Sequence, residues 1–202
     1  METQFTTQDK KWIKKAIWET YSKAAKDSKG LFNYPTGQEG LTALKYDPEH
    51  LQALPPEVSA SYCGVGNPFT LGPINKGDAV LDVGCGAGVD TLISGMRTGP
   101  SGKVVGIDLT PAMLQKAKKN LSMTDLKNVT FEEGSVENLP FADKDFNVVT
   151  SNGALNLVPD KARAFAEIYR VLKPGGHLMV ADEILIGELP KEKEKIIKSW
   201  AQ

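Results

Sequence analysis

Along residues 8–27, apolar side chains recur every three or four positions, at Trp12, Ile13, Ala16, Ile17, Tyr21 and Ala24. That spacing belongs to one face of an α-helix. Lys10, Lys11, Lys14, Lys15, Lys23 and Lys26 occupy much of the remainder and read as a solvated helix face. Residues 28–77 lose this rhythm. Glycines and prolines punctuate the segment from Gly30 and Pro35 to Pro73 and Gly77, and a short helix is expected over 56–62 behind Pro56. Interspersed Leu, Tyr and Phe residues argue against disorder, so the segment reads as a lid laid over a site.

From residue 78 the pattern is regular. Short apolar runs at 79–83, 103–108, 129–132, 146–151 and 177–182 predict five strands. Helical spacing falls between them: Val89, Leu92, Ile93 and Met96; then Leu114, Ala117 and Leu121; then Ala162, Phe165, Ala166, Tyr169 and Leu172. Thr110 is expected to cap the second of these helices, with Pro111 in its first turn, and Pro174-Gly175-Gly176 to stop the third. Strands alternating with helices predict an α/β fold, a mostly parallel sheet with helices on both faces. The expected division is 1–77 for N-terminal helix and lid, 78–190 for the core and 191–202 for a C-terminal helix.

Composition narrows the function classes. With 202 residues, 41% hydrophobic and 24% charged, the chain suits one globular domain. A formal net charge of -1 gives no electrostatic pull towards nucleic acid or anionic membrane. No apolar run approaches a membrane span, and the first residues do not resemble a signal peptide. Cys63 and Cys85 cannot make a disulfide framework, which points to a reduced, cytoplasmic protein.

The candidate chemistry centres on Leu81-Asp82-Val83-Gly84-Cys85-Gly86-Ala87-Gly88, between a strand and a helix. Glycines there let main-chain amides approach a ligand at the carboxyl ends of the strands. A dinucleotide fingerprint, Gly-x-Gly-x-x-Gly, requires glycine where Val89 stands. Asp82, just before the loop, would repel a diphosphate. It suits the cationic amino group or sulfonium of S-adenosylmethionine (SAM) instead. A nicotinamide-dependent oxidoreductase is therefore the weaker reading. Asp108, 20 residues past Gly88, can accept hydrogen bonds from both ribose hydroxyls of either cofactor. Cys85 reads as a small loop residue rather than a nucleophile, because neither His50 nor His177 is near it in sequence.

These residues resemble class I SAM-dependent methyltransferases. Leu81–Gly88 looks like their first motif, and Val105-Gly106-Ile107-Asp108 with Met113 like the second. Glu133-Gly134-Ser135-Val136-Glu137 followed by Leu139-Pro140-Phe141 looks like the adenine-side loop. Arg170-Val171-Leu172-Lys173-Pro174-Gly175-Gly176 looks like the turn before the fifth strand. The resemblance implies a Rossmann-like fold and a cofactor site of Tyr62, Asp82, Gly84, Cys85, Gly86, Gly88, Asp108, Leu109, Met113, Ser135, Val136 and Asn152. Asp82 would face the methionine amino group and Asp108 the ribose. Met113 and Val136 would flank adenine, Ser135 would accept from its amino group, and Asn152 would lie near the methyl. No catalytic base is named.

A narrower resemblance, to arsenite methyltransferases, rests on the segment from Ser151-Asn152 to Asp160-Lys161 and on Tyr62-Cys63-Gly64-Val65-Gly66. It implies a small-molecule or metalloid methyl acceptor. That family binds arsenic through cysteines, and their expected positions carry Val65 and, near Tyr34, no cysteine at all; Cys63 is offset by two. Trp200 resembles a family tryptophan close to the last residue, Gln202, so the usual C-terminal hairpin is missing from the expected fold. The fifth strand would then be a sheet edge covered by self-association, a partner chain or the N-terminal segment. The alternative reading is a non-catalytic SAM-binding remnant or a subunit that needs a partner.

Overall fold

The computed structural model describes residues 5–184; the helix expected over 191–202 lies outside the described residues. Helix α1 spans Thr7–Ala24. Thr6 and Asp9 make a reciprocal cap: the Asp9 amide donates to Thr6 Oγ1 at 3.2 Å and the Thr6 amide to Asp9 Oδ2 at 2.7 Å. The helix ends before residue 27 because Asp27 Oδ1 accepts from the Lys29 amide at 2.9 Å, an Asx turn that redirects the chain.

The lid is more ordered than its punctuation suggests. It contains α2 (Gly37–Ala43), α3 (Pro48–Ala53), α4 (Pro56–Ser59) and a 3-10 turn at Pro68–Thr70. Helix α4 stops short of the expected residue 62 because the chain turns at Ser61, whose hydroxyl donates to the Val58 carbonyl at 2.6 Å. Tyr46 holds the segment together, edge-on to Tyr62 at 5.4 Å and to Phe69 at 5.9 Å.

The core contains β1 (Ala79–Val83), α5 (Val89–Thr98), β2 (Lys103–Asp108), α6 (Pro111–Ser122), β3 (Val129–Glu133), β4 (Phe146–Asn152), α7 (Lys161–Val171) and β5 (Leu172–Ala181). The sheet order is β3-β2-β1-β4-β5, and every pairing is parallel. The expected α/β fold, a parallel sheet with helices on both faces, is therefore present. Strand alternation sorts the apolar side chains. Val80, Val104, Val148 and Met179 join α5, α6 and the lid on one face, while Leu81, Val105, Ile107 and Val149 join Ala164, Ile168 and Val171 of α7 on the other.

Two local expectations are corrected. Thr110 occupies the cap position of α6, but its side chain makes no capping bond; Asp108 Oδ1 instead takes the Thr110 amide at 2.7 Å. Pro174-Gly175-Gly176 does not stop α7, which ends at Val171 and runs directly into β5. Leu172 pairs with Phe146, residues 173–176 bulge out, and pairing resumes at His177 opposite Val148. His177 Nε2 then lies 3.1 Å from the Pro73 carbonyl oxygen, against the end of the lid. Among the described residues, no helix is long and apolar enough to cross a membrane.

Candidate functional site

The central strands end together in register, Val83 opposite both Ile107 and Ser151, so the loops that leave them converge. They line one cavity, which α1 and the lid wall in. This is the switch point of the sheet, where β1 is flanked by β2 on one side and β4 on the other.

The glycine loop forms the floor. Its Gly84 and Cys85 amides both donate to the Ile107 carbonyl at 2.9 Å. Gly86, at φ +52, lines the cavity, and a Cβ built there meets nothing within 4 Å, so the space above it is free for a ligand. Gly88 serves packing instead. It does not line the cavity, and a Cβ there would lie 2.6 Å from the Phe131 ring. Its absence lets α5 sit close to the sheet.

Three carboxylates line the cavity beside this floor, Asp82 and Asp90 buried and Asp108 half-buried. Asp108 accepts from the Gly86 amide at 2.9 Å as well as from Thr110, yet burial still raises its pKa above the ordinary value. Asp82 accepts from the hydroxyls of Thr91 at 2.6 Å and Thr150 at 2.8 Å, and burial pushes it up to about 6. Asp90, in the first turn of α5, is pushed up to about 7 by burial and then by neighbouring Asp82. Its oxygens accept from the Tyr46 hydroxyl and from Asn152 Nδ2, each at 2.8 Å. Asp90 was not singled out in the sequence. The available signal was an acid two positions past the last loop glycine, on a helix that opens at the site.

Asn152 joins the core to the lid. Its Oδ1 accepts from the Val65 amide at 2.9 Å and the Gly66 amide at 3.1 Å, and its Nδ2 also donates to the Gly66 carbonyl at 2.8 Å. The Tyr62 hydroxyl donates to the same carbonyl at 2.8 Å. Asn152 lines the cavity as expected, but its amide is committed to this junction.

Of the expected site residues, Tyr62, Asp82, Gly84, Cys85, Gly86, Asp108, Leu109, Ser135, Val136 and Asn152 all line the cavity. Met113 departs from expectation: it is buried in α6 against Ala24 and Ala87, with Tyr21 and Phe32 alongside, and does not reach the lining. Helix α1 contributes Lys14, Ile17 and Tyr21 to the lining, although its lysine face reads as plain solvated surface. Lys14 pairs there with Glu137. Cys63 lines the cavity as well, so both cysteines are among its lining residues. Burial pushes Cys63 up to about 12 and Cys85 well above its ordinary value, which keeps both protonated at neutral pH.

The charges on the lining discriminate between ligands. Among the described residues, Lys14 is its only cation and is already paired with Glu137; Asp82, Asp90 and Asp108 have no ion-pair partner. Buried carboxylates without a counter-charge disfavour a diphosphate and suit a ligand of net positive charge with hydroxyls at one end. SAM, with its sulfonium, amino group and ribose, fits that donor set.

A family described as a methyltransferase domain matches residues 74–202. The chain is 37% identical over 163 residues to an arsenite methyltransferase of Halobacterium salinarum, covering 81% of this chain and 41% of that protein. It is 32% identical over 199 residues to an arsenite methyltransferase of Mus musculus, covering 94% of this chain and 52% of that one. The chain thus spans about half, or less, of the length of these relatives. Among solved structures, an arsenic(III) S-adenosylmethionine methyltransferase from Chlamydomonas reinhardtii superposes with a TM-score of 0.54 at 33% identity, covering 74% of this chain and 50% of that chain.

Proposed function

The chain belongs to the class I SAM-dependent methyltransferases, and we propose that it transfers a methyl group from SAM to a small-molecule or metalloid acceptor at the cavity above the glycine loop. The observation that carries this reading is the convergence of Asp82 and Asp108 on one cavity whose floor is opened by Gly86. The cofactor supplies a methyl group on a sulfonium, a good leaving group. The protein's own task is to align donor and acceptor and to exclude water.

Asp108 is suited to the ribose hydroxyls, because it lines the cavity and its carboxylate is held in place by the Gly86 and Thr110 amides. Leu109 and Val136 also line the cavity and would flank adenine, and Ser135 would accept from its amino group. Ile17 and Tyr21 of α1, with Tyr62 of the lid, shield the reacting centre from solvent. The metalloid acceptor is supported by the arsenite methyltransferase relatives; Cys63 and Cys85 line the cavity, and either would have to lose its proton to act as a soft ligand.

Isothermal titration with SAM and with its demethylated product tests the cofactor site. Saturable binding is expected, and no heat at high micromolar ligand would overturn the reading. Methyl transfer is then assayed with arsenite and glutathione against thiol and phenol acceptors. A second copy or a partner chain covering the β5 edge belongs to the same proposal; a monomer in sedimentation at tens of micromolar protein would remove the self-association option.

A further inference from the structure

A ligand lying along the strand ends spans three positions. Asp108 marks the β2 end, Asp82 and the glycine loop the middle, and Asn152 with Asp90 the β4 end. With the nucleoside at Asp108, the other half of the ligand extends towards Asp90. Asp90 is 7% exposed, lines the cavity, and is held by the Tyr46 hydroxyl and Asn152 Nδ2, both neutral donors. Those bonds fix its carboxylate without cancelling its charge. Asp82 also has both oxygens taken, by threonine hydroxyls, and is the more deeply buried of the two at 2% exposed.

We propose that Asp90 is the residue that reads the cofactor's positive charge, so that the cavity holds the sulfonium form more tightly than the neutral thioether left after transfer. The inference rests on the proposed SAM site and adds a basis for product release. Methyl transfer breaks the S–C bond, leaves its electron pair on sulfur and forms the new bond from the acceptor's lone pair. The charge opposite Asp90 disappears in that step. The carboxylate then stands buried without a counter-ion, an unfavourable arrangement that weakens product binding relative to substrate.

The test is titration of the whole chain and of Asp90→Asn and Asp90→Glu with three ligands: SAM, its demethylated product, and sinefungin, which carries an amine in place of the methylsulfonium. The unaltered chain is expected to bind SAM and sinefungin more tightly than the product. Asp90→Asn is expected to lower affinity for the two charged ligands by about tenfold while changing product affinity by less than about twofold. Product binding by that variant also reports that it is folded. Asp90→Glu, which keeps the charge, is expected to restore most of the preference. An unchanged SAM-to-product ratio in Asp90→Asn, or equal weakening of all three ligands, overturns this inference and leaves the proposed cofactor site standing. Failure of the unaltered chain to bind SAM overturns both.

Discussion

From the middle of the cavity to its β2 end, Asp82, the glycine loop and Asp108 come from one continuous stretch, residues 82–108. At the β4 end, Tyr46, Tyr62, Asp90 and Asn152 converge from the lid, the start of α5 and the end of β4, up to 106 residues apart. Within the first group, Asp108 takes the amides of Gly86 in the loop and of Thr110 just after itself. The second exists only when the lid is docked, because Asn152 takes its bonds from Val65 and Gly66. One end is thus a motif and the other an interface, and the two should fail differently when damaged.

The largest effect is expected at the motif. Asp108→Ala removes the ribose partner and orphans the Gly86 and Thr110 amides, so SAM affinity should fall by about a hundredfold or more, as titration would read. An affinity within about threefold of the unaltered chain would show that this end does not hold the nucleoside.

Asn152→Ala should instead break the interface. Two half-buried amides lose their acceptor, costing about 1–3 kcal/mol in urea unfolding. Hydrogen exchange should speed up at Val65 and Gly66, while Gly84 and Cys85, which donate to Ile107, remain protected. Equal loss of protection in both regions would dissolve the distinction between them.

A smaller, pH-dependent effect separates Asp82 and Asp90 from ordinary acids. Asp82 and Asp90 sit at about 6 and about 7, above their ordinary value of 3.8. The folded, ligand-free chain therefore binds more protons than the unfolded chain between pH 4 and 7. Their contribution to stability is fully present below that window and is lost as pH rises through it. Asp90 is faced by Asp82, Arg97 and the hydroxyls of Tyr46 and Tyr62, so the clean measurement is the unaltered chain minus Asp90→Asn. That stability difference should fall from pH 4 to pH 7, while SAM affinity rises over the same range as the carboxylates ionise. A pH-independent difference would remove Asp90 as the titrating group.

The smallest effect is expected over the cavity mouth. Lys14, with a side chain 42% exposed, pairs with Glu137 across the cavity from α1. Such a partly exposed pair contributes about 1 kcal/mol or less, so Lys14→Ala should change SAM affinity by less than about fivefold and reduce its salt dependence. A larger loss would make α1 part of the binding machinery rather than a cover.

The chain's own pattern made the five strands, the glycine loop and both of its acids legible, because strand alternation, loop glycines and terminal acids are spaced within one stretch. The turn chemistry was harder to read. Pro174-Gly175-Gly176 has the composition of a helix stop, yet its neighbours Leu172 and His177 have partners in β4, and pairing turns the segment into a bulge. Met113 follows the second motif at the expected distance but faces inward, where Ala24 and Ala87 leave room for its side chain.

The sequence by itself determined the strand, glycine loop and helix at the site and the acids on either side of the loop, since those depend on residues joined by a short length of backbone. Only the tertiary structure decided that Asp90 lines the cavity, that Asn152 clasps the lid and that Cys63 and Cys85 come together on the lining. Those placements depend on contacts between segments far apart along the chain, and no local spacing records which distant surface a side chain will meet.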